Sequence, residues 1–243
     1  MQNGSEPARI LEHEPGDLTC IVEAGLRLAD LQAALAEHGQ RVSLDPPGDP
    51  TLGECLLEDL SGPLRHRFGT MRDLVIGVTV TLRDGTRASS GGKVVKNVAG
   101  YDLGKLFCGS RGRLGAVERV ALRLHPQPVA QRTLTIPASD WSNLHHSGLT
   151  PSAVDIVGDR MHVLFEGGAG AVRAQVEELG GDETDPWSGV RALQAGLQRR
   201  VRWDGEPAQL VRPGARVAYL PGEPDTTWSP LAERIVEAMC SPS

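Results

Sequence analysis

Apolar and polar positions along the chain mark out its elements before any chemistry is considered. Residues 19–24 read as a strand that ends at Gly25. Leu28, Leu31 and Leu35 then recur at spacings of three and four, which predicts a helix over 30–38 with Gly39 in the C′ position. Residues 40–44 read as a short return strand, so this strand–helix–strand unit is expected to build one sheet. The run Asp45-Pro46-Pro47-Gly48-Asp49-Pro50 has no helical capacity. Thr51 follows as the N-cap of a short helix reaching about Leu60. Val78 and Val80 alternate with Thr79 and Thr81 in a strand over 74–82, and Asp84-Gly85 turns it into residues 87–90. A short helix over 102–107 and a strand carrying Val117, Val120, Leu122 and Leu124 complete the first half.

Pro126-Gln127-Pro128 reads as a domain boundary. Beyond it, strands are predicted at 134–136, 153–156, 161–166 and 217–220, and a helix over 171–179 closed by Gly180-Gly181. Residues 187–202 read as partly helical with a basic cluster at Arg199, Arg200 and Arg202, and 230–239 as a terminal helix. Strands and a helix in this order suit a small α+β unit with an antiparallel sheet.

The glycines between the short helix and the strand bring in the first candidate chemistry. Gly109-Ser110-Arg111-Gly112-Arg113-Leu114-Gly115 places three glycines in seven residues. Such a loop takes positive φ, lets a ligand approach the backbone and offers N–H groups to phosphates or ring edges. Spacing alone leaves two readings open, a ligand loop or tight turns between strands. The helix N-terminus at Thr51 is expected to serve as an anion site. Arg65, His66 and Arg67 are either a solvated loop or electrostatic support for an anion.

Residues 96–102, Lys-Asn-Val-Ala-Gly-Tyr-Asp, followed by Gly109-Ser110 and Leu114-Gly115, resemble the FAD-binding domain of the vanillyl-alcohol-oxidase (PCMH) type, and within it the FAD-binding subunits of bacterial glycolate oxidases. Upstream, Glu23-Ala24-Gly25, Leu31-Gln32, Asp45-Pro46-Pro47, Thr51-Leu52-Gly53, Ser61-Gly62-Pro63 and 69–73 continue the match in the family's order, from Ile10 to Pro126. The resemblance implies an α+β fold: a partial FAD-binding lobe over 1–128 and a small α+β substrate-side cap over 129–243. It implies that Pro47, Thr51, Leu52, Gly53, Ser61, Gly62, Arg67, Gly69, Arg72, Asp73, Leu74 and Val75 line FAD on one side. Gly109, Ser110, Gly112, Leu114, Gly115 and Val117 would line it on the other, with Lys96, Gly100, Tyr101 and Asp102 shaping the wall between. The activity implied is oxidation of glycolate or another 2-hydroxy acid, with a second flavin subunit and an iron–sulfur subunit as partners. The place implied is the cytoplasm, at the inner face of the membrane through those partners.

Three departures bear on that expectation. Members begin with a smaller subdomain whose glycine-rich loop holds the pyrophosphate, and this chain starts where that subdomain ends. Glu54 stands where the family has a second glycine, and a carboxylate there repels a diphosphate unless it points away. The cap is short and lacks the family's C-terminal ending. A cofactor-poor structural subunit that supports a partner flavoprotein is therefore the competing reading, and a stand-alone small-molecule-binding domain a third.

Composition narrows the alternatives. Across 243 residues the net charge is −6 and aromatics are 4%, which argues against nucleic acid as a partner. No apolar run approaches the ~20 residues that span a bilayer, and the amino terminus has no signal-peptide pattern. Cys20, Cys55, Cys108 and Cys240 are scattered, so no zinc or iron–sulfur site is expected and the thiols read as reduced packing residues. His145-His146 is expected to be a loop pair, ill-placed to chelate a metal. No catalytic residue is identified.

Overall fold

The computed structural model describes residues 8–91, 102–197 and 199–223. Within the first half lie β1 (Ile10–Glu14), β2 (Thr19–Glu23), α1 (Leu28–Ala36), β3 (Gln40–Arg41), α2 (Leu52–Leu57), α3 (Arg65–Phe68), α4 (Met71–Leu74), β4 (Val75–Leu82), β5 (Arg87–Gly91), α5 (Leu103–Phe107), β6 (Gly115–Arg123) and β7 (His125–Pro126). Among the described residues a five-stranded sheet has the order β1-β2-β6-β4-β5. All its pairs are antiparallel, and Val22 and Val78 both stand opposite Val120. The predicted alternation is the reason: Val78, Val80, Val120 and Leu122 put one face into a core shared with Leu31 and Leu35 of α1 and Leu52 and Leu56 of α2.

The return strand differs from expectation. Only Gln40 and Arg41 are strand, and β3 pairs with β7 in a separate two-stranded sheet. The Gln32 side-chain amide meets both polar groups of Val42, donating to its carbonyl at 2.6 Å and accepting from its N–H at 3.1 Å. That backbone is satisfied without a strand neighbour. The first helix also ends two residues early, at Ala36, with Glu37 at the C-cap and Gly39 (φ 64°) two positions beyond it.

The second half holds β8 (Ala130–Pro137), α6 (Trp141–His146), β9 (Ala153–Val157), β10 (Arg160–Gly167), α7 (Ala169–Leu179), β11 (Asp182–Glu183), α8 (Trp187–Gly196), β12 (Arg199–Arg202), β13 (Leu210–Arg212) and β14 (Val217–Leu220). Its strands form a seven-stranded antiparallel sheet, order β11-β8-β10-β9-β13-β14-β12. The period of two along β10 separates two cores. Val163 and Phe165 face Leu144 of α6 and Val172 of α7. Leu164 faces the opposite way, toward Trp187 and Val190 of α8 and Leu64 of the first half.

Two assignments change here. Arg199–Arg202 are a strand, paired along β14, where the sequence suggested helix. His145 and His146 end α6; His146 Nδ1 lies 2.7 Å from the Ser142 carbonyl, and the His145 ring packs 5.0 Å from Trp141. The terminal helix expected at 230–239, Cys240, and residues Lys96, Gly100 and Tyr101 lie outside the described residues.

Candidate functional site

The stiff 45–50 loop delivers the chain to α2 as the sequence implied, but the helix N-terminus is closed. Thr51 Oγ1 accepts from the Glu54 N–H at 3.2 Å, and the Glu54 carboxylate accepts from the Thr51 N–H at 2.7 Å, a capping box. The Leu52 N–H donates to the Leu26 carbonyl and the Gly53 N–H to the Ala24 carbonyl. Every amide of the first turn is occupied by the protein, so the expected anion site is absent. Glu54 is itself the anion at that terminus, and its bonds to Thr51 hold its carboxyl below the ordinary range.

The glycine loop behaves differently. Gly109 (φ 75°), Arg111 (φ 51°), Gly112 (φ 73°) and Gly115 (φ 142°) all take positive φ. The loop is laid across the C-terminal end of α2: the Gly109 N–H donates to the Leu56 carbonyl at 3.0 Å and the Arg111 N–H to the Leu57 carbonyl at 2.9 Å. A methyl group added at Gly112 would meet nothing within 4 Å, and one at Gly109 would only touch Asp59 at 3.7 Å. Gly112 therefore opens onto space among the described residues, whereas Gly109 packs against Asp59. Ser110 between them is 1% exposed, and its Oγ is buried with no hydrogen-bond partner among the described residues. An open glycine face fits a dinucleotide approaching the backbone.

Other glycines of the expected site answer to the protein's own packing. A Cβ at Gly62 would overlap the Asp45 carbonyl, at Gly69 the Asp73 carboxylate and at Gly115 the Thr81 carbonyl; at Gly53 it would press on the Ala24 carbonyl at 3.1 Å. Leu52, Leu74, Val75 and Leu114 are buried in the first core and Val117 packs against it, so a ligand reaches them only through their backbone. Asp102 caps α5, accepting from the Lys105 N–H at 3.1 Å, and Asp73 closes a capping box with Thr70. Arg72 bonds the Lys105 carbonyl. Pro47 is half-buried in the 45–50 loop.

Residues 59–68 face the second sheet. Leu64 and Phe68 pack into the core under α8. Arg67 reaches Ser152 at 3.5 Å, and Arg65 bonds the Ser61 hydroxyl at 3.0 Å. Gln194 of α8 donates to the Ser61 carbonyl at 2.8 Å and accepts from Arg212 at 2.7 Å. Arg212 is fully buried, bonded to both Asp155 oxygens at 3.0–3.1 Å and to the Tyr219 hydroxyl at 2.7 Å. Burial alone would lower the Arg212 pKa; the Asp155 carboxylate more than reverses this and holds the guanidinium charged.

A second buried link joins Arg41 to Glu166 through two bonds of 2.8 and 2.7 Å. Asp45 accepts from the Leu64 N–H at 3.0 Å and lies 3.7 Å from Arg191. Burial pushes its carboxyl up to about 7 against the pull of that N–H, Arg212 and Arg191. The 21% exposure of the Asp45 side chain lets water moderate that rise. A cavity of about 510 Å³ opens here, between Asp45 and Leu64 on one side and Thr133, Glu166 and Trp187 on the other. Nothing in the spacing of Asp45, Asp155, Gln194 and Arg212 signalled this network, because its members meet only across the fold.

No cluster of His, Cys, Asp and Glu among the described residues is built to hold a metal. Cys20, Cys55 and Cys108 are free thiols whose pKa burial pushes up to about 12.

The structure is an α+β fold with a positive-φ glycine loop laid against the end of a capped helix. Residues 5–91 match the FAD binding domain family, and the cofactor this indicates is FAD. The chain is similar to the glycolate oxidase subunit GlcE of Escherichia coli, with 33% identity over 196 residues, 76% of this chain and 56% of that protein. It is also similar to a mitochondrial D-lactate dehydrogenase [cytochrome] of Saccharomyces cerevisiae, with 32% identity over 163 residues, 64% of this chain and 28% of that protein. The resemblance to the FAD-binding subunits of bacterial glycolate oxidases is thereby borne out. The chain spans about half the length of the first of these relatives and less of the second. A solved alkyldihydroxyacetonephosphate synthase shares the fold at TM-score 0.60 and 16% identity, covering 71% of this chain and 39% of that one.

Proposed function

We propose that the chain is the FAD-binding subunit of a complex that oxidises glycolate or a related 2-hydroxy acid. The observation that carries this reading is the positive-φ glycine loop whose Gly112 opens onto space, in a chain similar to a glycolate oxidase subunit. Bound FAD supplies a two-electron acceptor for the hydride of a hydroxy acid. The protein's part is to hold and orient it. Gly112 admits it to the backbone of the glycine loop, and the Ser61–Gly62 turn is held in place by Gln194. Residues 1–128 serve as the FAD lobe and 129–243 as the substrate-side cap, and the seam cavity is large enough for a small hydroxy acid. A second flavin subunit and an iron–sulfur subunit take the electrons onward, at the inner face of the membrane. Among the described residues no helix is long and apolar enough to cross a membrane, so membrane association would run through those partners.

The competing reading, a cofactor-poor structural subunit, is favoured by the closed N-terminus of α2. A diphosphate finds no amide there. Each hydrogen bond to a charged group contributes about 1.5–3 kcal/mol, so losing two weakens binding by roughly two to four orders of magnitude. The chain alone is therefore expected to purify largely colourless and to bind added FAD no tighter than micromolar, with tighter binding once a partner subunit is present. Calorimetric or fluorescence titration of the purified chain measures this. Sub-micromolar binding by the chain alone overturns the weak-binding expectation; no binding at millimolar FAD, with or without partners, establishes the structural-subunit reading.

A further inference from the structure

We propose that Arg191 of α8 holds the carboxylate of a small 2-hydroxy acid in the seam cavity, and that Asp45 competes with the ligand for that guanidinium; the inference rests on the hydroxy-acid reading above. The cavity of about 510 Å³ lies between the two halves of the chain, and both side chains line it. Asp45 also abuts the turn expected to line FAD, since a Cβ at Gly62 would run into its carbonyl and its carboxylate.

The charged side chains around the cavity are differently engaged. Arg41 is bonded twice to Glu166, at 2.8 and 2.7 Å, and Arg132 lies 3.0 Å from Glu183. Each of these guanidiniums is neutralised by a carboxylate of its own. Asp185 is exposed, where water weakens its field. Arg191 differs. Among the described residues no hydrogen bond holds its guanidinium, and its ion-pair partner, Asp45 Oδ2, is 3.7 Å away. That separation is too long for a hydrogen bond. The five N–H donors of Arg191 are thus open to a ligand, on a side chain that is 37% exposed.

Asp45 is fixed independently of Arg191. Its Oδ1 accepts the Leu64 N–H at 3.0 Å, which leaves Oδ2 toward the guanidinium. Burial raises its carboxyl to about 7. The other charges that act on it are Arg212 of β13 and Asp155 of β9, which are bonded to each other at 3.0 Å. On the acid side of that value Asp45 is neutral and leaves Arg191 to a ligand. On the alkaline side its carboxylate pairs with Arg191 and repels a second anion. A carboxylate ligand suits the site because its two acceptor oxygens match the paired N–H groups of a guanidinium. Such an acid stays ionised throughout, since its carboxyl titrates near about 4.

Glycolate and its uncharged amide, glycolamide, are titrated into the purified full chain and followed by ligand-observed NMR, on the acid and on the alkaline side of the Asp45 carboxyl. Wild type is expected to bind glycolate but not glycolamide, and to bind it more tightly on the acid side. Arg191→Gln is expected to weaken glycolate about tenfold or more through lost hydrogen bonds to a charged group. Arg191→Lys, which keeps the cation, is expected to lose less. Asp45→Asn retains an oxygen for the Leu64 N–H and is expected to bind glycolate equally on both sides. Thermal melting shows that each variant is folded. No binding of glycolate by wild type, equal binding of glycolamide, or unchanged binding by Arg191→Gln overturns the carboxylate site. A pH dependence that persists in Asp45→Asn overturns the competition. The reading beneath is tested apart, by assaying the chain assembled with its partner subunits on glycolate and lactate. Oxidation by that complex with an unchanged KM in Arg191→Gln overturns the inference alone, whereas a wild-type complex that oxidises neither acid overturns the hydroxy-acid reading.

Discussion

At the scale of single residues, the glycines divide into two groups that look alike in sequence. Gly112 opens onto space, whereas Gly115 lies against the Thr81 carbonyl of β4. Replacing Gly112 with valine adds a β-branched side chain where φ is 73° and where a ligand approaches. Loss of FAD is expected to exceed tenfold, with a folding penalty of only about 1–2 kcal/mol. Flavin retention measured beside thermal melting checks this, and unchanged flavin content would remove the loop from the cofactor site. Gly115→Val is expected to do the reverse. Strain and overlap with β4 cost about 2–5 kcal/mol of stability, so the melting temperature drops before any effect on flavin is seen. The three-glycine spacing announced a loop with positive φ. Which glycine serves the ligand and which serves packing depended on β4, more than thirty residues earlier in the chain.

At the scale of elements, α2 shows how a correct assignment can carry a wrong inference. Thr51 is the N-cap, as its position before the apolar run indicated. Its helix is nevertheless no anion site, because Glu54, Ala24 and Leu26 take the amides. Thr51→Ala is expected to destabilise the fold by about 1 kcal/mol, read from denaturant midpoints. Glu54 titrates below its ordinary range in the folded protein, so the stability it adds is full above that range and fades as pH falls through its folded pKa. The difference between wild type and Thr51→Ala is therefore expected to shrink in acid. The short segment after α2 is a second case. Arg65, His66 and Arg67 lie on α3 rather than in a loop; Arg65 bonds Ser61 and Arg67 reaches Ser152.

At the scale of the whole molecule, Arg41–Glu166 and Asp45–Arg191 join the first half of the chain to the second, and Arg212–Asp155 ties β13 to β9 within the seven-stranded sheet. Arg212→Met leaves Asp155 buried without its cation and is expected to cost about 3–5 kcal/mol, measured by equilibrium unfolding. Asp45 makes the seam sensitive to pH. Its carboxyl is raised from the ordinary 3.8 to about 7, so the folded state keeps a proton that the unfolded state has released. The stability that Asp45 contributes is then greatest in acid and falls as pH rises from about 4 to about 7. Asp45→Asn is expected to flatten that slope, and a melting-temperature profile across this window that is the same for both proteins would show that Asp45 is not its source.

The sequence by itself determined the elements whose signals are local. Alternating valines marked β4, leucines at spacings of three and four marked α1, and threonine before an apolar run marked the cap of α2. It also carried the family resemblance, because the motifs from Ile10 to Pro126 lie in order along the chain. Only the tertiary structure decided what each polar group does. Gln32 replaces a strand neighbour for Val42, Gln194 holds Ser61, Arg212 neutralises Asp155, and Asp59 comes to lie beside Gly109. Each of these hydrogen bonds or contacts joins residues 10 to 133 positions apart, or none that any pattern relates. A buried donor must find an acceptor somewhere, and where it finds one is settled by how the two sheets pack, not by its neighbours in sequence.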